Sequence, residues 1–122
     1  MMRSLLIIGL GGGVGSVLRW LVAQWAGKYL SIQFPWGTFI VNFFGCLLIG
    51  AIVQITDRAD VSDQWRLLLA TGFCGGFTTF SAFALENFKL IESGNYQGFV
   101  LYTFGSIAAG LVGVLAGFKI LG

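Results

Sequence analysis

The stretch Gly72-Phe73-Cys74-Gly75-Gly76-Phe77-Thr78-Thr79-Phe80-Ser81-Ala82-Phe83 decides how this chain is read. It lies inside an apolar run long enough to cross a bilayer. Yet three glycines and two adjacent threonines are poor residues for an unbroken helix. Hydrocarbon offers backbone N–H and C=O groups no partner. Irregular backbone at membrane depth therefore persists only where protein buries it or a wet cavity borders it. Half-helices that end inside a membrane are also where transporters build substrate and ion sites. The segment is predicted to break the third membrane helix, either as a packing feature or as the working part of a transporter or channel.

The rest of the chain supports a membrane setting. Of its 122 residues 57% are hydrophobic and only 10% charged, against about 25% charged in a soluble domain. Mean hydropathy is +0.87. The expected fold class is an all-α membrane protein, a single domain over residues 1–122. Four transmembrane helices of about 20 residues each, with short connections, use up the length. The predicted spans cover residues 4–26, 36–55 and 65–91, with a fourth ending at Lys119. Connections are expected at 27–35, at the hydrophilic run 56–64, and at Ser93-Gly94-Asn95. Trp20, Trp25, Trp36, Trp65 and Tyr96 fall near the span ends, where aromatic belts belong. Arg3 before an apolar run imitates a signal peptide. The run continues through Arg19 without a small-x-small cleavage site, so it reads as a retained first span.

Several functions are excluded by what is missing. There is no histidine, the usual acid–base group near neutral pH. No paired acids at one depth and no serine–base arrangement support an enzyme. A net charge of +2 without a basic cluster gives nucleic acid no surface. Cys46 and Cys74 lie in apolar stretches and read as small hydrophobes. Glycines at 9, 11, 12, 13 and 15 lack the register and the acidic residue of a dinucleotide site. Their four-residue spacing instead gives small faces for close helix packing, and Gly105, Ala109, Gly113 and Gly117 repeat it in the fourth span.

Positive charge decides membrane orientation. Arg3, Arg58, Arg66 and Lys119 fall on the side of the termini, and Arg19, Lys28 and Lys89 at or toward the other. Four against three hardly chooses. Either other signals orient the chain, or copies insert both ways and pair antiparallel.

A few polar side chains stand inside the spans. Arg19 is costly at depth unless it serves a function or snorkels toward Trp20. A vestibule cation there would attract anions. Asn42 is either an interhelical hydrogen-bonding group or a donor facing an anion. Phe80 and Phe83 share a helix face just after the break, and their weakly positive ring edges can face an anion. Thr79 and Ser81 add hydroxyls beside them. Tyr102 and Ser106, one turn apart in the fourth span with Thr103 next to them, line either a polar track or a helix contact. Glu86, about two turns past Phe80, belongs nearer the surface. Carbonyls freed where the first half-helix ends could coordinate a cation, and two antiparallel chains crossing there could enclose one. A simple glycine kink is the plainer reading.

Together these motifs resemble the Fluc (CrcB) family of fluoride channels, and the resemblance spans all four helices. Gly11-Gly12-Gly13-Val14-Gly15-Ser16-Val17-Leu18-Arg19-Trp20 is similar to its GGxxGAxxRY element. Gly37-Thr38-Phe39-Ile40-Val41-Asn42-Phe43-Phe44-Gly45 is similar to GTLxVNxxG, and the opening stretch matches GFCGGxTTFSTF nearly residue for residue. The resemblance implies a dual-topology antiparallel homodimer with two fluoride pathways and a structural sodium ion at its centre. It implies that Phe80 and Phe83 are pore phenylalanines and Asn42 the pore asparagine. It further implies that the Gly75 and Thr78 backbone carbonyls hold the sodium, and that Tyr102 and Ser106 belong to a hydroxyl track. Arg19 would be the vestibule cation and Glu86 a vestibule acid. Ala82 and Gly110 depart from the pattern, each standing where relatives carry a hydroxyl residue.

The expected protein is a passive fluoride channel of the inner membrane, not an enzyme. A small multidrug exporter would need a carboxylate in the first span, and there is none. A membrane assembly subunit is the other alternative.

Overall fold

The computed structural model describes residues 1–58 and 61–120. Ala59 and Asp60 of the predicted hydrophilic connection, and the last two residues, lie outside the described set. Four spans run back and forth in up-and-down order. Helix α1 is Met2–Tyr29 and α2 is Trp36–Arg58. The third span, Asp63–Glu92, is divided. Its first half, α3, joins a short α-helical turn Asp63–Arg66, a wide π-helical stretch Leu67–Cys74 and a last turn Gly75–Phe77. Its second half, α4, is Phe80–Glu92. Helix α5 is Tyr96–Ile120. All are longer at their ends than the hydropathy run alone implies. The 28 residues of α1 extend about 42 Å, past a hydrocarbon core of about 30 Å.

The turns are made by the residues that read as turns. At the end of α4, Gly94 takes φ +81°. Its N–H bonds to the Ile91 carbonyl at 3.0 Å, and the Asn95 N–H bonds to the Leu90 carbonyl at 2.9 Å. This is a Schellman stop, which needs a left-handed residue at that point. The Asn95 side chain then accepts from the Gly98 N–H at 2.9 Å and starts α5. At the other face Arg66 donates to the Thr56 carbonyl at 3.2 Å, tying the start of α3 to the end of α2.

Glycines set the packing. Helix α1 lies on α3 so closely that a side-chain carbon at Gly11 would collide with the Leu68 carbonyl oxygen. One at Gly15 would meet the Phe73 oxygen, and one at Gly76 the Gly12 oxygen. Between α2 and α5, Gly50 and Gly117 play the same part against Val114 and Leu47. Gly9, Gly13 and Gly105 face open space, so only one of the two small faces read in α1 is used within the chain. Large apolar side chains such as Leu10, Val14, Leu111 and Phe104 point outward, as lipid-facing residues do.

The break is narrower than the sequence implies, and it is displaced. Gly72, Gly75 and Gly76 are all helical. Only Thr78 and Thr79 leave the helix, at φ/ψ of −91°/158° and −152°/119°.

Candidate functional site

Two extended residues inside a membrane helix interrupt its hydrogen-bond ladder, and side chains take up several of the freed backbone groups. Thr78 donates both its N–H, at 3.0 Å, and its hydroxyl, at 2.8 Å, to the Cys74 carbonyl. The Thr79 N–H donates to Asn42 Oδ1 at 2.8 Å, while Asn42 Nδ2 donates back to the Thr79 carbonyl at 3.2 Å. The side chain of Asn42 thus pairs with Thr79 as a neighbouring peptide would. Thr79 Oγ1 caps α4 by accepting from the Ala82 N–H at 3.1 Å, and lies 3.3 Å from Ser81 Oγ. Arg19 reaches across from α1 and donates Nε–H to the Gly76 carbonyl at 3.0 Å.

Beside the break is a groove of about 500 Å³ on the outside of the chain, between α2, α3, α4 and α5. Asn42, Gly75, Thr78, Thr79, Phe80, Phe83 and Ser106 all line it, and no charged residue does. Phe80 is 78% exposed, the most exposed phenylalanine among the described residues. Its ring centroid lies 5.8 Å from that of Phe83, and the Phe83 ring lies 5.1 Å from that of Tyr102. Ser106 Oγ is buried and has no hydrogen-bond partner among the described residues. Cys46 and Cys74, both free thiols, complete the apolar part of the wall.

Glu86 lies one to two turns further along α4 and joins three helices. Its Oε2 accepts from the Thr38 hydroxyl at 2.8 Å and its Oε1 from the Tyr102 hydroxyl at 2.7 Å. It also lines two further cavities, of about 520 and 230 Å³, at the 30–35 connection, the larger of them also lined by Lys89 and Ser93. Tyr102, fully buried, therefore spends its hydroxyl proton on Glu86, and Ser106 alone of that pair faces the groove.

No group of three His, Cys, Asp or Glu side chains among the described residues could hold a metal ion. Cation ligands at the break would have to be backbone carbonyls. Those of Gly76 and Thr79 are taken by Arg19 and Asn42, and at Gly75 a side-chain carbon would meet nothing within 4 Å.

The structure thus gathers Asn42, Thr79, Phe80, Phe83 and Ser106 at one groove, and leaves Ser81, Tyr102, Arg19 and Glu86 outside its lining. Thr38 and Asn87 carry no role in the sequence reading, and Thr103 stands there only as the hydroxyl next to Tyr102. Thr103 donates to Asn87 Oδ1 at 3.0 Å, and Asn87 Nδ2 donates to the Phe83 carbonyl at 3.2 Å. The available signal was the pairing of adjacent polar residues, Glu86-Asn87 and Tyr102-Thr103, in two otherwise apolar helices.

Comparison with known proteins agrees over nearly the whole chain. Residues 6–118 match the family described as CrcB-like protein, Camphor Resistance (CrcB). The chain is 48% identical over 116 residues to the fluoride-specific ion channel FluC of Phocaeicola vulgatus, covering 95% of this chain and 96% of that one. It is 46% identical to the fluoride-specific ion channel FluC of Leptospira interrogans, over 94% of this chain and 91% of the relative. Against the protein of that name from Bacteroides fragilis the identity is 46% over 119 residues, 95% and 94% of the two chains.

Proposed function

This chain belongs to the CrcB-like family, and from that premise we propose that it is a fluoride-selective passive ion channel, letting fluoride leave the cytoplasm across the inner membrane. The observation that carries the reading is the uncharged groove beside the break. Fluoride is small and strongly hydrated, so a selective path must replace its water with several weak donors. A full positive charge would hold the ion too tightly to release it. Ring edges of Phe80 and Phe83, the hydroxyls of Thr79 and Ser106, and the second Nδ2 hydrogen of Asn42 are donors of that strength. Arg19 commits Nε–H to Gly76 beside the break and has further N–H donors to offer an anion. Glu86, held by Thr38 and Tyr102, borders the cavities at the 30–35 connection.

The working unit in this reading is an antiparallel homodimer. The groove opens on the outer face of one chain, with the Phe80 ring exposed at it, where a second copy would close it over. A balance of four positive charges against three favours insertion both ways. Two breaks then meet at the centre, and the Gly75 and Thr78 carbonyls of both copies would hold a sodium ion. The donor set fits: the open space at Gly75 lets a second backbone approach, and Arg19 and Asn42 hold the neighbouring carbonyls away. When bound, the ion supplies a fixed positive charge and a link between the two chains.

The test is fluoride efflux from liposomes holding the purified protein, read with a fluoride electrode after adding a potassium ionophore. Rapid efflux that needs the ionophore but no proton gradient, with chloride retained, is expected. Silence from a folded dimer would sink the proposal. Proton-coupled exchange of organic cations would identify the exporter instead.

A further inference from the structure

Helix α4 starts afresh after Thr78 and Thr79, so it does not inherit its rotation from α3 through a continuous ladder of hydrogen bonds. Something else must fix the direction in which Phe80 and Phe83 point. At its first turn Asn42 holds Thr79. Further along, two adjacent residues of α4, Glu86 and Asn87, meet two adjacent residues of α5, Tyr102 and Thr103. Neighbouring residues on a helix are about 100° apart around its axis. One hydrogen bond between two helices is a pivot, whereas two set that far apart oppose rotation.

Asn87 is the less expected member of this pair of pins. Asparagine is a weak helix former, and this one is buried, with 7% exposure. An unpaired amide there would be costly. Its carbonyl end is satisfied by Thr103 on α5, and its amino end returns one turn to the Phe83 carbonyl. The chain Thr103–Asn87–Phe83 therefore runs from a neighbouring helix to the backbone of the residue whose ring borders the groove.

We propose that Asn87, held by Thr103, is a positioning residue that sets the rotation of α4 and the angle at which the Phe83 ring meets the groove. Its geometry stands alone, while its effect on flux rests on the channel reading.

Thr103→Val removes the hydroxyl and keeps the shape; Thr103→Ser keeps the hydroxyl. In liposomes that conduct fluoride with the wild-type chain, Thr103→Val lowers flux about tenfold, the scale of one lost buried hydrogen bond. Thr103→Ser stays close to wild type, and Asn87→Leu added to Thr103→Val lowers flux no further. A readout independent of conduction decides the same point. With 4-fluorophenylalanine in place of Phe83, the fluorine NMR resonance is single in the wild type and in Thr103→Ser, and shifted or split in Thr103→Val. Identical spectra in all three overturn the inference, whether or not the wild type conducts. So does a Thr103→Ser flux as low as that of Thr103→Val. If the wild type conducts nothing while Thr103→Val moves the resonance, the channel reading fails and the positioning role stands.

Discussion

Asn42 is the residue on which the break depends most, because one amide serves both ends of the Thr79 peptide pairing. In Asn42→Asp the carboxylate still accepts from the Thr79 N–H. It loses the donor to the Thr79 carbonyl and sets a negative charge against that oxygen and against the anion path. Fluoride flux is expected to fall at least about tenfold, the scale of a lost and repelled buried partner, while the dimer still elutes at its size on gel filtration. Unchanged flux would remove Asn42 from the path. Asn42, Arg19 and Glu86 are legible in the sequence because a polar group in an apolar run stands out. Their partners are not. Thr38 lies 48 residues from Glu86 and Gly76 57 residues from Arg19, and such pairs depend on helix register that local pattern does not carry.

At the scale of the element, the displaced break has a physical reason. Glycine is a weak helix former where water competes for its backbone, but hydrocarbon does not compete, so the glycines remain helical. What they provide is closeness, as between Gly76 and Gly12. The Thr79 hydroxyl supplies a missing backbone bond by accepting from the Ala82 N–H, while the Thr78 hydroxyl adds a second donor to a Cys74 carbonyl that already accepts its N–H. Thr79→Val removes the cap of α4 and is expected to cost about 1 kcal/mol, seen as a lower thermal midpoint in detergent, with Thr79→Ser close to wild type. Equal midpoints for the two variants would mean the hydroxyl does not cap. Glycine packing is checked on a single helix. Gly11→Ala drives a carbon into the Leu68 carbonyl and should cost about 1–3 kcal/mol or more, with a matching loss of folded protein. Gly9→Ala enters open space and should be neutral. The sequence spacing alone treated these two glycines alike, because spacing records a face and not what lies against it.

The whole molecule is a multi-pass membrane protein whose four spans were legible from hydropathy, while the proposed antiparallel pairing was read in the sequence from a near-tie in charge. If copies insert both ways, positive charge moved to either end fixes the orientation of a copy. Two such variants, biased in opposite directions, should each be silent in cells and should restore fluoride export when made together. Export by either one alone would contradict antiparallel assembly. The central claim is that the groove beside the break selects and conducts fluoride. Its most direct test is the reversal potential of purified protein in a planar bilayer, with fluoride on both sides at unequal concentration and chloride as the competing anion. The account predicts a reversal potential that follows the fluoride gradient with full Nernst slope and ignores chloride. A potential that tracks chloride, protons or cations would contradict it.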